Sequence, residues 1–152
     1  MDERAARRRQ AQAMSDQVSS YGFETAARTI CAEAESDGEA GMRAVAAVIV
    51  NRLDDGRWGD TLLKVCLAPA QFSCWNTTSK ARTDIIAALD DFDATLCKAR
   101  AYLSDALDGH QSPVGAATHY YNPSAVKEPP AWVKGAKLEG KVGSQIFFSG
   151  VK

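Results

Sequence analysis

The chain has 152 residues, of which 45% are hydrophobic and 24% are charged. A domain of this length buries roughly 68–70% of its unfolded surface, so we expect one hydrophobic core and no second large domain. The formal net charge of −1 shows no bias toward nucleic acid or membrane, and electrostatics alone therefore names no partner.

The first twenty residues are polar and contain an arginine cluster at positions 4 and 7–9. No apolar run follows that could form the core of a secretory signal, and no later segment has the ~20 apolar residues that span a bilayer. Because acidic residues are interspersed, we expect residues 1–20 to form a frayed, solvated segment. Contact of the arginines with an anionic surface is the alternative. Residues 21–152 are expected to form a single folded domain.

The four cysteines are Cys31, Cys66, Cys74 and Cys97. They lack the paired short spacing of a zinc site or a redox motif. Cys31 and Cys97 fall in helical apolar patterns, where a cysteine behaves as a small hydrophobe. Cys66 and Cys74 are close enough in sequence to bridge, whereas a cytosolic origin would keep them reduced, so this pairing stays open.

Apolar residues at helical spacing predict two helices in the first third of the chain. The first covers Glu24 to Ala34, with Glu33 near its C-terminal end. A polar turn at 35–38 separates it from a stronger pattern through Met42 to Ile49, which ends near Asn51-Arg52. A cation favours the dipole at a helix C-terminus, so we interpret Asn51-Arg52 as structural.

Less regular segments follow the second helix. Residues 54–60 are interpreted as a loop, and Thr61 as the N-cap of a short helical turn that ends before Pro69. Residues 71–80 carry two aromatic side chains among polar groups. Their apolar residues recur at neither helical nor strand spacing, which predicts an ordered loop.

The remainder predicts two more helices and then a small sheet. The first helix lies around 84–89, and the second ends at Gly109. One apolar face of the second consists of Phe92, Leu96, Ala99, Leu103 and Ala106. Residues 118–123 and 145–148 are rich in β-forming types, which predicts an antiparallel sheet in the C-terminal third and an α+β class.

Four stretches carry a resemblance to a known family. They are residues 32–52 (AEAESDGEAGMRAVAAVIVNR), 69–76 (PAQFSCWN), 115–122 (GAATHYYN) and 142–148 (VGSQIFF). In this order they resemble the SleB-type cell-wall hydrolases, a family of spore-cortex lytic enzymes and phage endolysins. The resemblance extends from about residue 27 to residue 148.

The resemblance implies a lysozyme-like, mainly helical scaffold. It also implies cleavage of the β-1,4 bond between N-acetylmuramic acid and N-acetylglucosamine. The catalytic glutamate of the family falls on Glu33. A second glutamate and a C-terminal histidine, common in the family, are replaced here by Asp37 and Gln145. A proton-transfer role is therefore not expected at Gln145.

The chemistry expected of Glu33 follows from the bond to be broken. Glycoside cleavage needs a carboxylic acid that stays protonated near neutral pH, which an apolar pocket provides by penalising the charged form. Glu33 is flanked by Ala32 and Ala34, which suits such a pocket, and a solvent-facing helix glutamate is the alternative. Asp37 is the candidate second acid of a two-carboxylate muramidase, provided that the helix continues past Ser36. A lytic transglycosylase needs only Glu33.

Sugar rings bind aromatic faces flanked by amides and hydroxyls. The candidate substrate-binding residues that supply this mixture are Gln71, Ser73, Trp75, Asn76, His119, Tyr120, Tyr121 and Asn122. Both tyrosines have a half-buried strand position as an equal alternative, with Tyr120 preferred for the site. His119 is either a hydrogen-bonded strand residue or a pocket donor. Trp132 either packs against the sheet or lies at the rim of the cleft.

The expected partner is the peptidoglycan glycan strand, with no nucleic acid, no membrane insertion, no metal and no cofactor. We expect a monomeric endolysin that stays in the host cytoplasm until a holin releases it to the cell wall. A zinc amidase is one alternative, although His110 and His119 are the sole histidines and three protein ligands are needed. A non-catalytic glycan-binding virion module is another.

Overall fold

The structure is a computed structural model that describes residues 2–18, 21–68, 90 and 93–152. Side chains are described in these ranges except at 11–18. The predicted loop at 71–80 and the predicted helix around 84–89 lie outside the described residues.

Helix α1 spans Glu3–Val18, where the sequence predicted a frayed segment. One face of this helix has partners on the folded domain. Ala5 and Arg8 are buried, and the Arg8 guanidinium pairs with the carboxylate of Asp54 at the end of a later helix. Ala5 also lies against Gly109, where a side chain on the glycine would overlap it. These contacts attach α1 to the remainder of the chain.

Two helices form the centre of the molecule, as the sequence predicted. Helix α2 spans Tyr21–Ala34 and helix α3 spans Gly38–Asp55, with a 3-10 turn at Glu35–Asp37 between them. Helix α3 continues beyond the predicted end near residue 52. It ends at Gly56, whose left-handed backbone (φ 87°) lets its N–H donate to the Arg52 carbonyl.

Both later helices in the described ranges begin at side-chain caps. Helix α4 spans Leu62–Leu67, and the Thr61 hydroxyl accepts the N–H of Lys64 at 3.2 Å, as predicted. Helix α5 spans Ala94–Leu107, and its Asp93 cap accepts the N–H of Leu96 at 2.9 Å. Within these ranges, no helix has the length and apolar character required to cross a membrane.

The apolar stripe predicted on α5 is confirmed for the described positions. Leu96, Ala99 and Leu103 are fully buried and pack with residues of α2, α3 and α4 in the main core. Ala106 is partly buried beside them. Phe92, the first member of the predicted stripe, lies outside the described residues.

The C-terminal third forms an antiparallel sheet with strand order β1–β3–β2. Strand β1 spans His119–Tyr121, β2 spans Lys137–Val142 and β3 spans Gln145–Ser149. The first and third were predicted. Strand β2 was missed because it is a largely exposed edge strand with lysines and a glycine, and its register shifts between Leu138 and Gly140.

A second, smaller core joins the sheet to helix α3. Ala44 and Val48 of α3 pack with Val114, Ala117 and Phe147 in this cluster. Tyr120 of β1 packs against both the main core and this smaller one. The first strand therefore lies at the boundary between the helices and the sheet. The α+β class and the mainly helical, lysozyme-like arrangement predicted from the sequence are confirmed.

Replacing Leu103 by alanine should lower the free energy of unfolding by about 2–5 kcal/mol, because it removes a fully buried side chain and leaves a cavity. Leu138→Ala is the matched control, since Leu138 is 60% exposed. Urea denaturation followed by circular dichroism measures both. Equal losses in the two variants would contradict this assignment of the core.

Candidate active site

Glu33 lies at the penultimate position of α2 and connects that helix to the sheet. Its side chain is half-buried, while its neighbours Ala32 and Ala34 are buried. The Tyr120 hydroxyl donates a hydrogen bond to Glu33 Oε2 at 3.3 Å. Glu33 is therefore not the solvent-facing helix residue that the sequence left as an alternative. Its carboxyl group lies where the helical core meets β1.

The alternation of β1 decides which of its aromatic residues reaches Glu33. Tyr120 points toward the helices, with its ring 5.1 Å from that of Phe147. Successive side chains of a strand point to opposite faces. Accordingly, His119 and Tyr121 contact a different group of rings, and the structure brings only Tyr120 of these three predicted residues to the Glu33 carboxylate.

The opposite face of β1 carries an aromatic cluster. His119 lies 5.6 Å from the Trp58 ring and 5.0 Å from the Trp132 ring. Tyr121 lies 5.8 Å from Trp132 and stacks on Phe148 at 5.9 Å. Trp132, whose place the sequence left open, therefore packs against the sheet.

His119 is uncharged at neutral pH. Burial, together with the guanidinium groups of Arg52 and Arg57, lowers its pKa to about 4. Its Nδ1 lies 2.9 Å from the Thr118 hydroxyl. Of the two interpretations of His119, the geometry favours the hydrogen-bonded strand residue.

Asn51 and Arg52, at the end of α3, hold the segment that leads into β1. Asn51 Nδ2 donates to the carbonyls of Gly115 and Ala117 at 3.0 and 2.9 Å. Arg52 Nε donates to the Thr118 carbonyl at 2.7 Å. This confirms the structural interpretation of the pair. The sequence did not reveal its target, because the contacts join residues more than sixty positions apart.

Asp37 binds the turn between β2 and β3. Its carboxylate accepts the N–H of Ser144 at 3.3 Å and the Ser144 hydroxyl at 3.2 Å. Any side chain at Gly41 or Gly143 would overlap Asp37, so both glycines are needed for this contact. Asp37 lies in a 3-10 turn after α2 has ended, so the unbroken helix required for a shared face with Glu33 is absent.

The structure gives less information on the other predicted site residues. Asn122 Oδ1 accepts the N–H of Ser124 at 2.9 Å and so closes a turn after β1. Gln145 is half-buried at the start of β3. The predicted binding residues Gln71, Ser73, Trp75 and Asn76 lie outside the described residues.

The described cysteines are free thiols. Cys31 and Cys66 are fully buried, and burial raises the pKa of each thiol to about 12. Cys66 therefore forms no disulfide in this structure. Its candidate partner, Cys74, lies outside the described residues.

Within the described part of the chain, no group of three His, Cys, Asp or Glu side chains lies close enough together to hold a metal ion. His110 lines a cavity of about 410 Å³ beside α1, α3 and α5. His119 instead lies in the aromatic cluster behind β1. The zinc-amidase alternative therefore gains no support from the two histidines.

Comparisons with known proteins identify the family of the chain. Residues 36–148 match the family described as Cell Wall Hydrolase. A spore cortex-lytic enzyme of Halalkalibacterium halodurans is 32% identical over 121 residues, which cover 80% of this chain and 32% of the relative. The chain thus spans about a third of the length of that curated relative.

Two solved structures share the fold. The catalytic domain of the germination-specific lytic transglycosylase SleB from Bacillus anthracis matches with a TM-score of 0.67 and 25% identity, covering 86% of this chain and 96% of that one. The catalytic domain of Bacillus cereus SleB matches with the same score and identity, and 91% of its chain is covered. Fold and site together define an enzyme class that attacks the bacterial cell wall. The chain belongs to the cell wall hydrolase family.

Replacing Tyr120 by phenylalanine should reduce the rate of cell-wall degradation by roughly 10- to 100-fold, because a hydrogen bond to a carboxylate contributes about 1.5–3 kcal/mol. The ring remains, so the melting temperature should change little. Tyr121→Phe is the matched control and should keep its activity, since Tyr121 lies on the opposite face of β1. Turbidity loss of purified peptidoglycan measures both. Equal activity in the two variants would contradict a role for the Tyr120 hydroxyl.

Proposed function

We propose that this enzyme is a lytic transglycosylase that cleaves the β-1,4 bond between N-acetylmuramic acid and N-acetylglucosamine. Glu33 acts first as the general acid and then as the general base. The observation that carries the proposal is the half-buried Glu33 carboxyl group, bonded to Tyr120 where helix α2 meets the sheet. Its fold is similar to that of a catalytic domain named as a lytic transglycosylase.

The reaction needs one carboxyl group and no water. In the first step the Glu33 carboxylic acid protonates the glycosidic oxygen, the bond to the anomeric carbon breaks, and N-acetylglucosamine leaves as an alcohol. In the second step the Glu33 carboxylate removes the proton from the 6-hydroxyl of muramic acid. The 6-oxygen then bonds to the anomeric carbon and forms a 1,6-anhydro ring, and Glu33 is protonated again for the next cycle.

The surroundings of Glu33 suit both steps. The buried alanines at 32 and 34 limit its contact with water, which favours the protonated acid that the first step needs. The Tyr120 hydroxyl donates to Oε2, which stabilises the carboxylate that the first step leaves behind. Glu33 must be protonated in the first step and ionised in the second, so it needs both the apolar neighbours and the hydrogen bond from Tyr120.

The position of Asp37 favours transglycosylation over hydrolysis by two carboxylates. A hydrolase holds its second carboxylate ~5–5.5 Å or ~6.5–9.5 Å from the first, free to act as nucleophile or to activate water. The Asp37 carboxylate instead accepts hydrogen bonds from Ser144, and the Asp37 side chain lies against Gly41 and Gly143. Hydrolysis by a two-carboxylate muramidase is the second candidate, and product analysis separates it from transglycosylation.

Substrate contacts are proposed chiefly at Tyr120 and at the predicted loop residues Gln71, Ser73, Trp75 and Asn76. Amide and hydroxyl groups beside aromatic faces match the polar edges and apolar faces of a sugar ring. His119 and Tyr121 are packed between other rings, which supports a role in holding β1 in place.

The proposed setting is that of an endolysin that accumulates in the host cytoplasm and reaches the wall through a holin. The curated relative is named a spore cortex-lytic enzyme, so a bacterial lytic role is the competing setting. Lysis that requires a co-expressed holin would support the endolysin role, and lysis without one would contradict it.

The Glu33→Gln enzyme should keep its fold and lose activity by a factor on the order of 10²–10⁴, the usual contribution of a proton-transfer group. Glutamine preserves the shape of the side chain but cannot give or take the proton. Glu35→Gln is the matched control, because Glu35 is exposed and lies two positions along the chain. Muropeptide release measures the activity. A folded Glu33→Gln protein with substantial activity would overturn the assignment.

The products should end in 1,6-anhydro-N-acetylmuramic acid, which is lighter than the hydrolysis product by one water and resists borohydride reduction. Mass spectrometry of digested peptidoglycan, before and after reduction, distinguishes the two outcomes. Asp37→Asn should retain measurable activity and give the same anhydro ends. Wholly reducible products together with an inactive Asp37→Asn enzyme would instead establish a two-carboxylate muramidase.

A further inference from the structure

Arg52 is a buried cation whose burial the anchoring of β1 does not explain. The residue is 4% exposed, its Nε is bonded to the Thr118 carbonyl, and its guanidinium carbon lies 4.8 Å from the centre of the Trp58 ring. Removing a charge from water costs far more than burying a neutral amide. Asn51, the preceding residue, holds the same segment with such an amide. The charge of Arg52 therefore calls for a second role.

The charged and titratable groups around Arg52 indicate what that role is. Burial lowers the pKa of Arg52, whereas Tyr120, Cys66 and Glu33 raise it and the cation of Arg57 lowers it. A guanidinium titrates at such high pH that Arg52 stays positive throughout. Among the three groups that raise its pKa, the thiol and the phenol are types that ionise above neutral pH, whereas the Glu33 carboxyl group is the one whose protonation changes in the proposed reaction.

Two further titratable neighbours, Cys66 and His119, are neutral in the working range. The pKa of the Cys66 thiol is about 12, so this group stays neutral. The pKa of His119 is about 4, and it too is neutral above pH 5. Of these groups around Arg52, Glu33 is therefore the one whose charge changes during the proposed reaction.

Arg52 also affects the hydrogen bond between the Tyr120 hydroxyl and Glu33, because it holds the start of the strand that carries Tyr120. Arg52 fixes the Thr118 carbonyl, and Tyr120 follows two residues later on β1. The Tyr120 hydroxyl then reaches Glu33 Oε2. Arg52 thus acts on Glu33 through the position of this strand and through its own buried charge.

We propose that Arg52 is a positioning residue that holds Tyr120 against Glu33 and supplies the positive charge that stabilises the Glu33 carboxylate between the two steps of the reaction. This inference rests on the proposed acid/base function of Glu33. The arginine touches neither the sugar nor the reacting atoms. Its effect is on the balance between the two protonation states of Glu33.

The sign of the effect on pH dependence follows directly. The first step needs protonated Glu33, so activity falls as rising pH removes that proton. A nearby cation favours the carboxylate, and the fall therefore occurs at lower pH than it would without the cation. Removing the charge of Arg52 should move this basic limb of the pH–activity profile to higher pH.

The experiment compares the pH–activity profiles of three variants with that of the wild type, using solubilised peptidoglycan as substrate. Arg52→Gln keeps a donor for the Thr118 carbonyl without the charge, and its basic limb should move up by about 0.5–1 pH unit. Arg52→Lys keeps the charge and should leave the limb near its wild-type position. Asn51→Ala weakens the same anchor without a charge change, so it should lower the rate and move the limb by clearly less than Arg52→Gln does.

A further variant decides the matter if Arg52→Gln does not fold. Trp58→Leu leaves Arg52 present but uncovers its guanidinium, and the limb should move in the same direction by a smaller amount. If Arg52→Gln has lower activity at every pH but an unshifted basic limb, the proposal is overturned. The same outcome in Trp58→Leu overturns it when Arg52→Gln does not fold. An equal shift in Asn51→Ala overturns it as well.

Two controls separate this inference from the proposed function. Tyr120→Phe should retain a basic limb, which shows that the phenol is not the titrating group. An active Glu33→Gln enzyme refutes the acid/base function itself. An inactive one, combined with an unshifted Arg52→Gln profile, refutes the role of Arg52 alone.

Discussion

The hydrogen bonds between the end of α3 and the segment before β1 are the contacts on which the site depends. A small sheet needs a hydrophobic face or a helix to pack against if it is to be stable. Asn51 and Arg52 bind the carbonyl groups of residues 115, 117 and 118, which fixes the position and rotation of the strand that follows. Because side chains alternate along that strand, its rotation determines that Tyr120 faces Glu33.

The helices of the main core could be predicted from the sequence, because they depend on local patterns. The apolar periods of α2, α3 and α5 and the cap at Thr61 all appear within a few neighbouring residues. The motif around Glu33 is similarly compact. Strand β2 was missed because its exposed, lysine-bearing sequence follows no period, and α1 was missed because its stability comes from distant partners such as Asp54.

The roles of individual site residues were harder to predict, since they depend on contacts across the chain. Nothing near Asp37 in the sequence shows that Ser144 binds it, although the two glycines that make room for it are visible in hindsight. The sequence showed that side chains of β1 would alternate between two faces, but it did not show which face would contact the helices. Packing of Phe147 and Val48 in the smaller core decides that question.

The exposed edge of β2 has a consequence for the protein at high concentration. An unpaired strand edge is a template for pairing with another chain, and this hazard grows as a protein accumulates. Here Lys137 and Lys141 are exposed along the edge, and the irregular register at Leu138 and Gly140 bends the line of backbone groups. A second copy approaching this edge would meet like charges and a mismatched ladder, so β2 resists the edge-to-edge aggregation that a flatter, apolar strand would invite.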